Sequence, residues 1–222
     1  MTRQKIVVVG ASGHAKVVID MLQLARQFEI VGIIDTALPA GSTFQGCPVL
    51  GPDEVIDNLP NRAQLHGFIV AIGDNGLRAR VTQNLLTRHP ELTLVTAVHP
   101  AATVAHDATL GAGTVVMAEA VIGPGCRADT GCIINTRASL DHDGHMEDYA
   151  SLAPAAVTGG DCRIGNRSAI GIGATLKHGV TIGQNSIIGA GATVMKDIGD
   201  NRVAYGTPAE VIRSRADDEP YL

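Results

Sequence analysis

The stretch Ile164-Gly165-Asn166-Arg167-Ser168-Ala169-Ile170-Gly171-Ile172-Gly173-Ala174-Thr175-Leu176-Lys177-His178-Gly179-Val180-Thr181-Ile182-Gly183-Gln184-Asn185-Ser186-Ile187-Ile188 decides the fold. An aliphatic residue returns every six positions, at Ile164, Ile170, Leu176, Ile182 and Ile188. The same step runs back through Leu152, Met146, Leu140, Ile134, Ile122, Val116 and Leu110 to Val104, and forward to Val194; only Ala128 and Thr158 break the aliphatic series. Four residues after nearly every such position stands a small one, among them Cys126, Cys132, Ala150, Cys162 and Ala174. Directly after it glycine is frequent, as at Gly111, Gly123, Gly165 and Gly183, and is read as easing a turn.

A six-residue period fits neither a helix of 3.6 residues per turn nor a hairpin sheet. It fits a parallel β-helix in which three short strands make one triangular coil, the aliphatic residue filling the interior. Coils stack at about 4.8 Å, the spacing of hydrogen-bonded strands. Positions 18 apart then form ladders, one of them Leu110, Ala128, Met146, Ile164 and Ile182. The composition agrees, with 26 glycines, 3% aromatics and no tryptophan, as expected of thin repeated layers. Cys126, Cys132 and Cys162 occupy interior small-residue slots, which explains them without chemistry.

Upstream the pattern differs. Residues 1–100 alternate strand-like and helical segments: strands Lys5–Val9, Ile30–Ile34, Phe68–Ile72 and Leu92–Val98, and helices Ala15–Phe28 and Leu77–Thr87. This order predicts a small Rossmann-like α/β domain with a parallel sheet, followed over 101–222 by the left-handed parallel β-helix of hexapeptide repeats and a short tail. Such sheets bind ligands outside the carboxyl ends of their strands. Gly10-Ala11-Ser12-Gly13-His14 there joins a strand to a helix whose N-terminus suits an anion. The GxGxxG positions read Gly10, Ser12 and Ala15, which disfavours NAD and leaves a nucleotide diphosphate. Asp35 and Gly73-Asp74-Asn75, at two further strand ends, are expected to line the same crevice.

A formal charge of −5 argues against a nucleic-acid surface, and no apolar run reaches the 18–20 residues that span a bilayer. The N-terminus lacks a signal-peptide cleavage site, and four cysteines without CxxC spacing suit a reduced compartment, so a cytoplasmic protein without membrane insertion is expected. Within the repeat, Asp141-His142-Asp143 falls between interior Leu140 and Met146 and therefore on an outward corner. A histidine beside carboxylates is a candidate general base; the alternative is a solvated polar turn. His145 is a second candidate base, but the His142/His145 spacing makes a poor metal site, so no metal is expected.

Taken together, these segments resemble the bacterial nucleotide-sugar N-acetyltransferases, within the hexapeptide group that includes sialic acid O-acetyltransferases. The resemblance spans nearly the whole chain and rests on Gly10 to Val18, Ala71-Ile72-Gly73-Asp74-Asn75, Ile133-Ile134-Asn135-Thr136, Asp141-His142-Asp143 and Tyr205-Gly206-Thr207-Pro208-Ala209. It implies a homotrimer with active sites between subunits, acetyl-CoA as co-substrate, and a nucleotide-linked 4-amino-4,6-dideoxy sugar as acceptor. It implies that His142 is the base, made more basic by Asp143. It implies sugar-nucleotide contacts from Ser12, Gly13, His14, Asp35, Thr36 and Gly73, and acetyl-CoA contacts from Ser151, Gly160, Ile172 and Ala190. Relatives often carry histidine in place of Ser151, and some have a second acid in place of Thr36. Rival readings are a sugar O-acetyltransferase, a non-catalytic nucleotide-sugar-binding trimer, and a metal-dependent hydratase-like β-helix.

Overall fold

The computed structural model describes residues 3–59, 62–217 and 219–220. Strand β1 (Gln4–Val9) leads through helix α1 (Gly13–Ala25) to β2 (Phe28–Ile34), then β3 (Thr43–Phe44), β4 (Cys47–Gly51), β5 (Leu65–Val70), helix α2 (Asn75–Arg88) and β6 (Thr93–Leu94). The sheet order β3-β4-β2-β1-β5-β6 is parallel except for the β3–β4 hairpin. The chain leaves β1 to one side for β2 and later returns on its other side as β5, which opens a crevice above the strand ends.

Several boundaries differ from the sequence reading. Helix α1 stops at Ala25 because Arg26 turns left-handed (φ 55) and its N–H donates to the Leu22 carbonyl, so Phe28 begins the next strand. The β3–β4 hairpin was not anticipated; its two-residue turn, Gln45-Gly46, has positive φ at both positions, the geometry that matches strand twist. The predicted strand Leu92–Val98 is two strands in two sheets. Thr93–Leu94 extends the N-terminal sheet, whereas β7 (Ala97–Val98) pairs with Val115–Val116 as the first rung of the repeat. Thr96 marks the crossing, its hydroxyl donating to the Gly111 carbonyl at 2.9 Å.

From β7 onward, two-residue strands recur every six residues and each pairs in parallel with the strand 18 residues on, building three stacked sheets. Face one runs from Ala97–Val98 to Ile187–Ile188 and ends in the hairpin Arg202–Gly206 and Ala209–Ser214; face two runs from Thr103–Val104 to Thr193–Val194; face three runs from Thr109–Leu110 to Thr181–Ile182. Every residue of the six-step series is the second residue of a strand, and from Val116 to Val194 all are buried. The ladder Leu110, Ala128, Met146, Ile164, Ile182 is present in register. The cysteine slots are interior, and each thiol donates to a carbonyl of the next coil, as Cys162 does to Lys177 at 3.2 Å. Burial pushes the Cys132 thiol up to about 12, the opposite of an activated nucleophile.

The glycines play a different part from the one expected. From Leu110 to Ile188 the third residue after each interior one has positive φ, and it is often not glycine: Glu119, Arg137, Asp143, Tyr149, Ala155, Asp161, Arg167 and Asn185 all adopt it. Glycine directly after the interior residue instead permits close approach between coils. A Cβ at Gly123 would stand 2.8 Å from the His142 amide nitrogen.

The N-terminal domain sits on face one. Val115 and Ile133, first residues of face-one strands, share a buried cluster with Ile6, Val18, Met21 and Leu22. Helix α2 buries Asn75, Arg78, Thr82 and Leu85, three of them polar; Leu85 packs in the core of the N-terminal sheet, whereas Asn75 and Arg78 reach the coils. No helix among the described residues is long and apolar enough to cross a membrane.

Candidate active site

Strand β1 ends at Val9, and Gly10-Ala11-Ser12 leads straight into α1. Ser12 is the N-cap of α1, in extended conformation, and its hydroxyl caps no helix N–H. At Gly13 a Cβ would meet nothing within 4 Å, so this position faces open space. Asp35 follows β2, and its carboxylate accepts from the N–H groups of Ala37 (2.8 Å) and Leu38 (3.1 Å), which folds the loop over the strand end. Gly10, Ser12, Asp35 and Thr36 line one cavity of about 510 Å³, closed below by Ile72 and Val81 and bordered by Asp53 and Asn84.

Gly13, His14 and Gly73 line a second cavity, of about 590 Å³, between the two domains. Its other wall is the corner between faces one and two, including Ser151, Ile172 and Ala190. Residues assigned by resemblance to two different ligands thus share one wall-to-wall space. His14 is neutral there: burial, and secondarily the nearby Arg78 guanidinium, pull its pKa down to about 4. Its Nε2 is enclosed and has no protein partner.

Asp74 and Asn75 do not line the crevice, contrary to the sequence reading. The Asp74 carboxylate caps α2 by accepting the Leu77 N–H at 2.8 Å, and Asn75 turns toward the coils. The Asn75 amide donates to Ser151 Oγ (3.0 Å) and to the carbonyls of Arg167 and Ser168. Buried Arg78 presents five N–H donors to the carbonyls of Gly131, Tyr149, Ile72 and Gly73 and to Asn75 Oδ1, at 2.7–3.0 Å. This pair fixes the Gly73 loop against the coils, and neither residue's role was visible in the sequence. The one trace is their spacing on α2 with Thr82 and Leu85, which puts them on one helix face.

His142 and Asp143 lie exposed on the turn between faces two and three. The left-handed backbone of Asp143 (φ 58) folds its side chain back, and Oδ2 stands 2.8 Å from His142 Nδ1. That hydrogen bond, with the charges of Asp141, Asp143 and Asp161, raises the His142 pKa against the opposing effect of burial. With Nδ1 turned to the carboxylate, Nε2 is the nitrogen free to take a proton. Gly160 lies 18 residues on, directly in the next coil; a Cβ there would overlap the His142 ring at Cε1 and Nε2. His178, a further 18 residues on, has its ring centroid 5.9 Å from that of His142. The 18-residue step from His142 was the signal that would have found it. Gly160 therefore belongs with His142 and does not line the cavity that holds Ser151, Ile172 and Ala190. His145 points elsewhere, with Nε2 2.9 Å from Asp129 Oδ2.

The chain separates three groups: Ser12, Asp35 and Thr36 in one cavity; Gly13, His14, Gly73, Ser151, Ile172 and Ala190 in another; His142, Asp143, Gly160 and His178 at a different corner. Face two lies between the second and third.

Comparison with known proteins gives consistent findings. Residues 5–85 match the PglD N-terminal domain family, and residues 145–196 match the bacterial transferase hexapeptide (six repeats) family. UDP-N-acetylbacillosamine N-acetyltransferase of Bacillus subtilis is 32% identical over 117 residues, 52% of each chain, and GDP-perosamine N-acetyltransferase of Escherichia coli O157:H7 is 30% identical over 113 residues, 51% of this chain and 50% of that protein. These alignments span about half the length of the curated relatives. Two solved structures align almost end to end. The acetyltransferase domain of PglB from Neisseria gonorrhoeae is 33% identical with a TM-score of 0.88, covering 95% of this chain and 100% of that one. PerB from Caulobacter crescentus, solved with CoA and GDP-perosamine, is 37% identical with a TM-score of 0.86, covering 93% and 96%.

Proposed function

Since the chain belongs to the hexapeptide-repeat nucleotide-sugar N-acetyltransferases with a PglD-type N-terminal domain, we propose that it transfers an acetyl group from acetyl-CoA to the 4-amino group of a nucleotide-linked 4-amino-4,6-dideoxy sugar. The observation that carries this reading is the His142–Asp143 pair, a base with a free Nε2 on an accessible turn. The unprotonated sugar amine attacks the thioester carbonyl carbon, and the C–S bond breaks to release CoA thiolate. His142 Nε2 takes the amine proton and then passes it to the thiolate, while Asp143 stabilises the imidazolium. Transfer is direct, since the interior cysteines are buried and their pKa values raised.

In this reading Ser12, Asp35 and Thr36 hold the nucleotide, with the diphosphate at the α1 N-terminus beside Gly13. Acetyl-CoA lies along the corner of Ser151, Ile172 and Ala190, with Gly73 and neutral His14 between the two ligands. Because face two separates that corner from His142, the site is completed by a second copy. Exposed Val121 and Val157 on face two favour packing between copies, and the expected assembly is a homotrimer in which His142 of one protomer serves the cavity of the next. Both co-substrates are cytoplasmic metabolites, and that is the proposed compartment.

The test is a panel of UDP-, dTDP- and GDP-linked 4-amino sugars with acetyl-CoA, following free CoA thiol and the N-acetyl product by NMR. Turnover of one amino sugar supports the reading. Acetylation of a sugar hydroxyl in preference to the amine, or no turnover of any amino sugar, overturns it.

A further inference from the structure

Thr158 stands where the interior series is otherwise aliphatic apart from Ala128, and it is only 2% exposed. At the other coil positions the N–H of the residue after the interior one donates to the carbonyl of the interior residue in the next coil. Gly123 donates to Leu140 (2.8 Å), Asp129 to Met146 (2.8 Å) and Gly159 to Leu176 (2.9 Å). Asp141 departs from this pattern: its N–H donates to the Thr158 hydroxyl at 3.0 Å. The strand pairing is altered at the same point. Ser139 pairs with Val157 and the register stops there, whereas neighbouring coil strands pair both residues.

The displaced N–H belongs to the residue directly before His142. On its other side the Cys126 thiol donates to the Asp141 carbonyl at 2.9 Å, so interior side chains hold both polar groups of Asp141. The Asp141 carboxylate accepts the His142 N–H at 2.8 Å, and the His142 carbonyl accepts the Asp161 N–H at 2.8 Å. Together these bonds set the pitch of the turn that leans the His142 ring over Gly160.

We propose that Thr158 is a positioning residue: its interior hydroxyl draws the Asp141 amide out of the coil-to-coil ladder and thereby aims His142 at the reacting amine. The proposal rests on His142 being the base. Without the hydroxyl, the Asp141 N–H takes the carbonyl of residue 158 as its neighbours do, and the turn rotates. A misplacement of about 1 Å in a reacting group lowers rate on the order of 10²-fold.

Thr158→Val keeps the shape and removes the hydroxyl; Thr158→Ser keeps the hydroxyl. In the full-length protein Thr158→Val is expected to lower kcat by roughly 10–100-fold, with both KM values little changed and thermal stability retained. Thr158→Ser is expected to recover most of that loss. In a His142→Ala background Thr158→Val should have no further effect, because the two act as a unit. The His142 pKa and Cε1 shift, followed by NMR, should move in Thr158→Val and return in Thr158→Ser. Wild-type kcat and an unmoved His142 titration in Thr158→Val overturn the proposal, as does an equal loss in the serine variant. If His142→Ala alone retains turnover, the base assignment falls instead, and the NMR comparison by itself decides whether Thr158 sets the turn.

Discussion

His14 is held neutral inside the protein, and this makes stability fall in acid by an amount that can be worked out. Its pKa is near 4 in the folded chain, against an ordinary histidine value of 6.5. Above pH 6.5 the ring is neutral in both folded and unfolded states and contributes no pH dependence. As pH falls from 6.5 to 4, the unfolded chain gains a proton that the folded chain resists, and stability is lost throughout that window. Below about pH 4 both states are protonated and the loss levels off. A gap of 2.5 units corresponds to about 3 kcal/mol. Urea unfolding of the wild type and of His14→Gln at pH 7 and pH 4 isolates this contribution, because other titrating groups are common to both. The wild type is expected to lose about 3 kcal/mol more than the variant. Equal losses would show that His14 is protonated freely in the folded state, and the account of its burial beside Arg78 would be wrong.

Other outcomes follow from the site. His142→Ala should leave the coils folded and lower kcat by about 10²–10⁴-fold. In the wild type kcat/KM should fall with decreasing pH, starting above the usual imidazole range because Asp143 raises the His142 pKa, and Asp143→Asn should move that limb to lower pH with a smaller rate loss. Gly160→Ala, checked by circular dichroism and steady-state kinetics, should fold normally yet displace the exposed His142 ring, so kcat falls while the nucleotide-sugar KM holds. Gly13→Val fills open space at the crevice; the amino-sugar KM should rise strongly with thermal stability unchanged, and parallel weakening of acetyl-CoA binding would count against the diphosphate assignment. Sedimentation should give a particle of three 23.0 kDa chains, and a fully active monomer would refute the shared site.

The coil was legible because each interior residue reports its own position: one face of every two-residue strand is buried, and the six-step repeats without a gap from Val104 to Val194. The turns were less so. Left-handed backbone is imposed there by coil geometry on Asp143, Tyr149 and Arg167 as readily as on glycine, so composition does not mark it. Leu92–Val98 read as one strand because β-branched and aliphatic residues serve either sheet equally well; only long-range pairing separates β6 from β7. His142 and Asp143 were found by their place between two interior residues, and the chain puts them on the expected corner. The coil contacts of Asn75 and Arg78 span 53 to 93 residues, and helical spacing marks only the face the two share, not their partners. The division of the candidate site residues between two cavities and a corner likewise depends on how the domains meet.

The Asn75–Arg78 pair also limits how this protein can change length. Its coil-side carbonyl acceptors lie at Gly131, Tyr149 and Arg167, 18 apart on three successive coils, with Ser168 beside the last. Helix α2 therefore works as a ruler with fixed graduations. An insertion of anything other than a whole coil between 131 and 168 would turn the acceptors onto the wrong face. A whole coil inserted there would keep the face but lift Arg167 and Ser168 by about 4.8 Å, out of reach of the Asn75 amide. A coil added after Val194, ahead of the closing hairpin, leaves every graduation in place. Growth and shortening are confined to that end, and the distance between crevice and coils is inherited as a constant.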